Sequence, residues 1–172
     1  MYVSLVGGFY FEVIHRMEGK WSGTNILSTA PSTQPVTTCD LRYDPHGYWI
    51  ETRSSIDYTG LVNTYTLKYT PVGNGRLRVD LSDAMYANCR VELAETSPYL
   101  LVITAVDNYT GKPKLVETFT IIDNMKRIHT IQDFSAGGNV TELYAIQEER
   151  VLDPSASSIA PYDGMKRKPE VI

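Results

Sequence analysis

Glu51, Arg53, Glu117, His129, Tyr144 and Glu148 sit in runs whose other members are largely apolar or aromatic, and Arg127 shares a face with His129. An extended chain turns alternate side chains to the same face, so Leu115, Glu117, Phe119 and Ile121 go together. The same rule groups Arg127, His129 and Ile131, then Tyr144, Ile146, Glu148 and Arg150, and also Trp49, Glu51 and Arg53. If these faces line an interior, the charges shift one another's pKa in a medium of low dielectric. Glu117 or His129 then serves as general acid or base, and Arg53 or Arg127 receives an anionic or enolate oxygen. Tyr65, Tyr69 and Tyr144 would orient a ligand, with Trp21, Asn25, Trp49, Glu51, Phe119, Arg127 and Glu148 completing its walls. The competing reading turns the same charges to solvent, where cross-strand pairs contribute tenths of a kcal/mol to about 1 kcal/mol each.

The elements that must position these residues are strands. From Gly19 to Val151, β-branched and aromatic runs are interrupted by Gly, Pro, Asn and Asp at roughly the 8–12-residue spacing of short antiparallel strands. The pattern predicts ten of them, beginning with Lys20–Ser28 and ending with Glu142–Val151. The links between them are short and carry turn chemistry, as in Asp44-Pro-His-Gly47 and Pro71-Val-Gly-Asn-Gly75. Neighbouring strands therefore pair as hairpins. An up-and-down meander of this length leaves exposed edges unless it closes, which predicts an all-β antiparallel barrel of 8–10 strands, with a sandwich as the alternative.

Leu5–Met17 precedes the first strand with Leu5, Val6, Phe9, Tyr10, Val13, Ile14 and Met17 at helical spacing. Gly7, Gly8 and the Phe9–Phe11 run favour a strand instead, so both a short helix and a strand stay open for this capping segment. The expected organisation is one barrel domain over 1–152, with 1–18 as the cap, and a flexible tail over 153–172, which is rich in Pro, Ser and Ala.

The 172 residues are 42% hydrophobic and carry a net charge of -4 with both signs interleaved, so no basic stripe offers itself to nucleic acid. No apolar run approaches the roughly 20 residues of a membrane helix. The first residues hold Glu12, His15 and Arg16 where a secretion signal keeps an apolar stretch, and a cytoplasmic setting is expected. Cys39 and Cys89 lack the paired spacing of a zinc site and are expected as reduced strand or core residues. No two histidines are spaced as metal ligands, and neither a phosphate loop nor a nucleophile elbow occurs, so no metal and no cofactor are expected.

Glu18-Gly19-Lys20-Trp21-Ser22-Gly23-Thr24 places Gly and Trp two apart at the head of the first strand and turns Trp21, Gly23, Asn25 and Leu27 to one face. This pattern resembles the calycin superfamily of lipocalin-like barrels. The resemblance implies that Trp21 closes the barrel floor and that an arginine of the last strands, Arg127 or Arg150, packs across its indole. The run Lys126–Phe134, the glycines Gly137 and Gly138, and Glu142–Arg150 also look like the closing hairpin of lipocalin-like domains of uncharacterised and bilin-lyase type. The disulfide of secreted lipocalins and the closing Arg-x-Tyr of cytosolic fatty-acid binders are missing. What the resemblance implies is binding of a hydrophobic or amphipathic small molecule inside the barrel, drug-sized by the aromatic wall of Tyr65 and Tyr69. The alternative is a cofactor-independent isomerase or cyclase, or a chromophore-lyase-type enzyme, acting in the same lumen. A homodimer is left open.

Overall fold

The computed structural model describes residues 11–29, 36–56, 59–82 and 86–152. One short helix, α1 (Glu12–Arg16), precedes ten strands: β1 (Gly19–Ser28), β2 (Val36–Asp44), β3 (Tyr48–Ile56), β4 (Val62–Gly73), β5 (Arg76–Leu81), β6 (Cys89–Ser97), β7 (Leu100–Asp107), β8 (Pro113–Ile121), β9 (Lys126–Phe134) and β10 (Val140–Arg150). Every strand pairs antiparallel with its sequence neighbours, and β1 pairs with β10, so the sheet closes into a barrel with no free edge. The expected all-β barrel is the fold, at the upper end of the predicted strand number. The expected cap is helical where it is described; residues 1–10 and the tail expected over 153–172 lie outside the described residues.

The turns follow their residues. Asn74 (φ 53°) and Gly75 (φ 68°) sit between β4 and β5 with the two positive φ values of a tight hairpin turn. Asp44 Oδ1 accepts a bond from the His46 N–H at 2.9 Å, so His46 belongs to the β2–β3 turn.

Strand alternation sets the core. In β7, Leu101, Ile103 and Ala105 are buried while Val102, Thr104 and Val106 are half-exposed, and β8 repeats this with Leu115, Glu117, Phe119 and Ile121 buried. One departure is in β1, where the register shifts between Asn25 and Leu27. That bulge reverses the face beyond it, so Leu27, expected inside, is 51% exposed.

The two barrel ends differ. At one end Phe11, Val13, Ile14 and Met17 are buried, and the Phe11 and Trp49 rings meet edge to face with centroids 5.7 Å apart. Glu95 on β6 accepts bonds from the free helix N–H groups of Glu12 (3.1 Å) and Ile14 (2.9 Å), fixing α1 across this end. Arg150 of β10 joins it by donating to the carbonyls of Arg16 (2.7 Å), Glu18 and Asn124 (2.7 Å). A Cβ on Gly19, whose φ is +111°, would lie 2.8 Å from Arg150 Nη1, so this position needs glycine twice over. The other end has no such plug among the described residues, and its strand ends and turns expose Ile26, Leu27, Ile56, Val62 and Val140.

Candidate functional site

Glu51, Arg53, Glu117, Arg127, His129 and Glu148 are all buried, whereas Tyr144 and Arg150, which the alternation grouped with Glu148, are half-buried. The six buried residues form one chain of contacts through the lumen. Tyr69 of β4 donates its hydroxyl to Glu51 Oε2. Arg53 meets Glu51 Oε2 at 2.9 Å through Nη2 and Glu117 Oε2 at 2.7 Å through Nη1, a bond that links β3 to β8 across the barrel. His129 Nε2 lies 3.3 Å from the same Glu117 oxygen, and its Nδ1 lies 3.8 Å from Glu148 Oε1, an ion-pair distance longer than a hydrogen bond. Glu148 Oε2 accepts from Arg127 Nε at 2.5 Å, and Arg127 Nη2 donates to Cys39 Sγ at 2.8 Å.

Register explains the pairings. Arg127 and Glu148 stand directly opposite each other on β9 and β10, as do Phe119 and His129 on β8 and β9. The second pair stacks, with ring centroids 4.1 Å apart. On β1 the residue opposite Glu148 is Gly23, where a Cβ would fall 2.6 Å from Glu148 Cγ and 2.6 Å from Ile146 Cγ2. The absent side chain makes room for the carboxylate. Trp21 is approached by both candidate arginines: the guanidinium carbons of Arg127, from the lumen, and Arg150, from the closed end, each lie 4.4 Å from its ring centroid.

Three carboxylates here face two guanidinium groups and one imidazole, so protonated His129 brings the six side chains to neutrality. Burial pushes the Glu117 carboxyl up, but Arg53 and His129 outweigh it and bring it down to about 2. For Glu148 burial is likewise outweighed, by Arg127 and His129, and the carboxyl falls to about 2. Burial pulls the His129 imidazole down, but Glu117 and Glu148 on its two sides raise it above the usual histidine range. Burial drives the Cys39 thiol far up, which keeps it a thiol rather than a nucleophile. Three buried polar atoms of the network, Glu51 Oε1, Arg53 Nε and Arg127 Nη1, have no hydrogen-bond partner among the described residues.

The network opens on one side into a cavity of about 140 Å³, lined by Leu67, Leu81, Val91, Ile103, Leu115 and Ile131 together with Tyr65, Tyr86, Glu117 and Asp133. It lies toward the unplugged end, beside the shortest pairing of the closed sheet: β5 and β6 pair only through Arg76–Arg78 and Glu92–Ala94, so Val79–Leu81 are bonded to β4 but not to β6. Its volume is below the roughly 300–1,000 Å³ of a drug-sized site, because Trp21, Phe119, Tyr69 and the charged layer fill the rest of the lumen. The drug-sized ligand expected from the aromatic wall is therefore too large to be enclosed here. A broader concavity of about 780 Å³ lies on the outer surface over β1–β3, lined by Lys20, Thr38, Asp40, Arg42, Thr52 and Ser54 among others. Arg42 there is already paired with Asp40 at 2.5 Å, and the buried charges do not converge on it.

The structure thus brings Glu117, His129, Arg53, Glu51, Tyr69, Phe119, Arg127, Glu148 and Trp21 together, with Tyr65 on the cavity wall. Three residues expected with them stand apart. Trp49 is fully buried but at the plugged end, donating Nε1 to Glu18 at 2.9 Å. Asn25 lies at the β1 bulge, where its Oδ1 accepts from the Leu27 N–H at 3.2 Å. Tyr144 shares the inward face of Ile146 and Glu148 and stands opposite Ile131, but it is half-buried, does not line the cavity and donates to Glu142 at 2.6 Å. Two polar cavity residues, Asp133 and Tyr86, and the aliphatic Leu81, Val91 and Ile103 were not singled out from the sequence. Asp133 follows Arg127, His129 and Ile131 at the same spacing of two, so carrying that face one step further would have found it; Tyr86 lies outside any strand, where the period assigns no face.

Among the described residues there is no group of three or more His, Cys, Asp and Glu side chains that could hold a metal ion, and no helix long and apolar enough to cross a membrane. No protein-family model matches the sequence, and no curated protein matches it. Solved structures do. A DUF3598-family protein of unknown function from Nostoc punctiforme aligns with a TM-score of 0.63 at 19% identity, over 80% of this chain and 49% of that one. This chain therefore spans about half the length of that protein. Rv2717c from M. tuberculosis aligns with a TM-score of 0.57 at 12% identity, over 80% of this chain and 94% of its own. An S-type phycobiliprotein lyase from Guillardia theta gives 0.53 at 12% identity, over 81% and 90%. At these identities the likeness concerns the fold alone: this chain is a closed ten-stranded antiparallel barrel similar in fold to those proteins.

Proposed function

We propose that the protein binds a hydrophobic or amphipathic small molecule at the open end of its barrel, with one ring or short chain inserted above Glu117 and the remainder lying over the exposed apolar residues there. One observation carries this reading: six buried ionisable side chains stand under a cavity whose other walls are mostly apolar. A barrel selected for stability alone gains little from such a layer, since well-packed apolar residues of similar volume do as well or better. Charges held in that way beside a cavity are a mark of a site. The phycobiliprotein lyase among the fold neighbours agrees with a ligand-handling barrel. The free thiols Cys39 and Cys89 fit a reducing, cytoplasmic setting.

An enzymatic reading keeps a specific support of its own. Glu117 lines the cavity and is bonded to His129, which Glu148 backs, so a proton at Nε2 is one carboxylate away from a bound molecule. In that reading the lumen orients a reactive ligand, and the relay assists an isomerisation or cyclisation. Native mass spectrometry of the purified protein tests binding, with a non-covalent adduct as the expected result. The bare chain mass with every small-molecule extract tried would overturn it. Recovering the adduct compound unchanged after prolonged incubation would remove the enzymatic reading and leave binding.

A further inference from the structure

We infer that the cavity selects, at its buried end, a neutral or cationic hydrogen-bond donor about the size of one aromatic ring, such as a small organic amine, and rejects carboxylates. This deepens the small-molecule reading above and rests on it.

Size comes first. A volume of about 140 Å³ is close to the roughly 150 Å³ of an apolar cavity that accepts benzene. The six aliphatic side chains of the wall favour a ring or short alkyl group over a fully polar molecule.

Charge decides the rest. The ionisable residues of the lining, the two tyrosines aside, are Glu117 and Asp133; no lysine, arginine or histidine lines it. Lumenal cations exist, but none lines the cavity, and although Arg53 Nε and Arg127 Nη1 have no hydrogen-bond partner among the described residues, both guanidinium groups are ion-paired within the network. Arg53 is divided between Glu51 and Glu117, His129 between Glu117 and Glu148, and Arg127 is held by Glu148. Both bonds that Glu117 accepts from this network fall on Oε2, which leaves Oε1 to meet an occupant. Asp133 adds a second acceptor on β9, stands opposite Glu142 of β10, and receives the Tyr86 hydroxyl at 3.4 Å. An incoming carboxylate would face these acceptors with no uncommitted cation on the wall. An ammonium or N–H group would find at least one carboxylate oxygen in reach and would relieve the repulsion between the acidic groups.

The test uses the full chain and four probes: xenon, benzylamine, benzyl alcohol and benzoate. Amide spectra report occupancy at the lining residues. Xenon, which carries no charge, shifts Leu67, Ile103 and Leu115 if the cavity admits an apolar guest. Benzylamine is expected to bind at least about tenfold more tightly than benzoate, with benzyl alcohol between them. Asp133→Asn and Glu117→Gln are each expected to narrow the amine-to-benzoate ratio; Asp133→Asn leaves the Arg53–Glu117–His129 contacts in place and so keeps the test clear of misfolding. Benzoate binding as tightly as benzylamine, while xenon still shifts the lining, would overturn the charge selection and leave the small-molecule reading standing. An unchanged ratio in both variants would overturn it too. No shift from xenon or any of the three aromatics would overturn both.

Discussion

Replacing Arg127 with methionine removes one end of the buried network while roughly keeping the volume. The arginine is fully buried, bonded to Glu148 at 2.5 Å and to Cys39 at 2.8 Å, with its guanidinium carbon 4.4 Å from the Trp21 ring centroid and 4.9 Å from that of Phe119. Methionine retains part of the aromatic contact through its sulfur, so the main loss is the charge beside Glu148. A buried carboxylate deprived of its partner costs about 3–5 kcal/mol, a large share of the roughly 5–15 kcal/mol that holds a domain of this kind together. Glu148 keeps His129 at 3.8 Å, which places the expected loss near the lower end of that range. Urea unfolding followed by far-UV circular dichroism and by tryptophan fluorescence measures it, with coincident transitions as the check on two-state behaviour and an unchanged m-value showing that the loss is one of stability. Adding Glu148→Gln to the variant removes the unpaired charge. The double variant is then expected to be less destabilised than the sum of the two single ones, by about 1–3 kcal/mol. A single-variant loss below about 1 kcal/mol, or strict additivity, would refute the claim that this pair is a buried, mutually dependent unit.

Stability should pass through a maximum in mildly acidic solution. Glu117 and Glu148 fall to about 2 on folding from an ordinary value of 4.5, so their contribution is present above pH 4.5 and is lost as pH drops toward 2. His129 is raised from 6.5, so its contribution is complete below that value and is lost as pH rises through the folded-state value. The windows overlap between about pH 4.5 and 6.5, where a series of urea midpoints should peak, and replacing His129 with glutamine should flatten the alkaline side. Gly23→Ala should cost about 1–3 kcal/mol by thermal or urea unfolding, because the new Cβ meets Glu148 Cγ and Ile146 Cγ2 at 2.6 Å and the Gln147 carbonyl at 3.1 Å. Trp49→Ala should cost about 3–5 kcal/mol by unplugging the closed end, while xenon still shifts the cavity amides at the other end where the variant is folded.

Much of this was readable from the chain because a strand's period is two. Once the turns divided the sequence into ten runs, the period grouped Glu117, His129 and Glu148 each with apolar neighbours on one face, but whether that face was lumen or solvent stayed open until the burial of all three settled it. Where reading failed, the cause was geometry that the period does not encode. The bulge between Asn25 and Leu27 carries no composition signal and turned Leu27 out. Trp49 does face inward, but its height along the barrel, set by closure and by α1, puts it in the plug rather than beside the buried charges. The arithmetic of the lumen was also hidden. That two arginines would be taken up by three carboxylates, leaving a cavity of one ring's size, depends on contacts between strands as far apart as β3 and β8.

The central claim, an ionised and mutually paired layer under the cavity, is tested most directly by the ring ¹⁵N shifts of His129 over pH 5–9, assigned with the His129→Gln variant. Held between Glu117 and Glu148, the ring should be mostly imidazolium at pH 6.5 and lose its proton at a pH above the ordinary histidine value. A ring that is already neutral at pH 6.5, titrating at or below the ordinary histidine value, would contradict it.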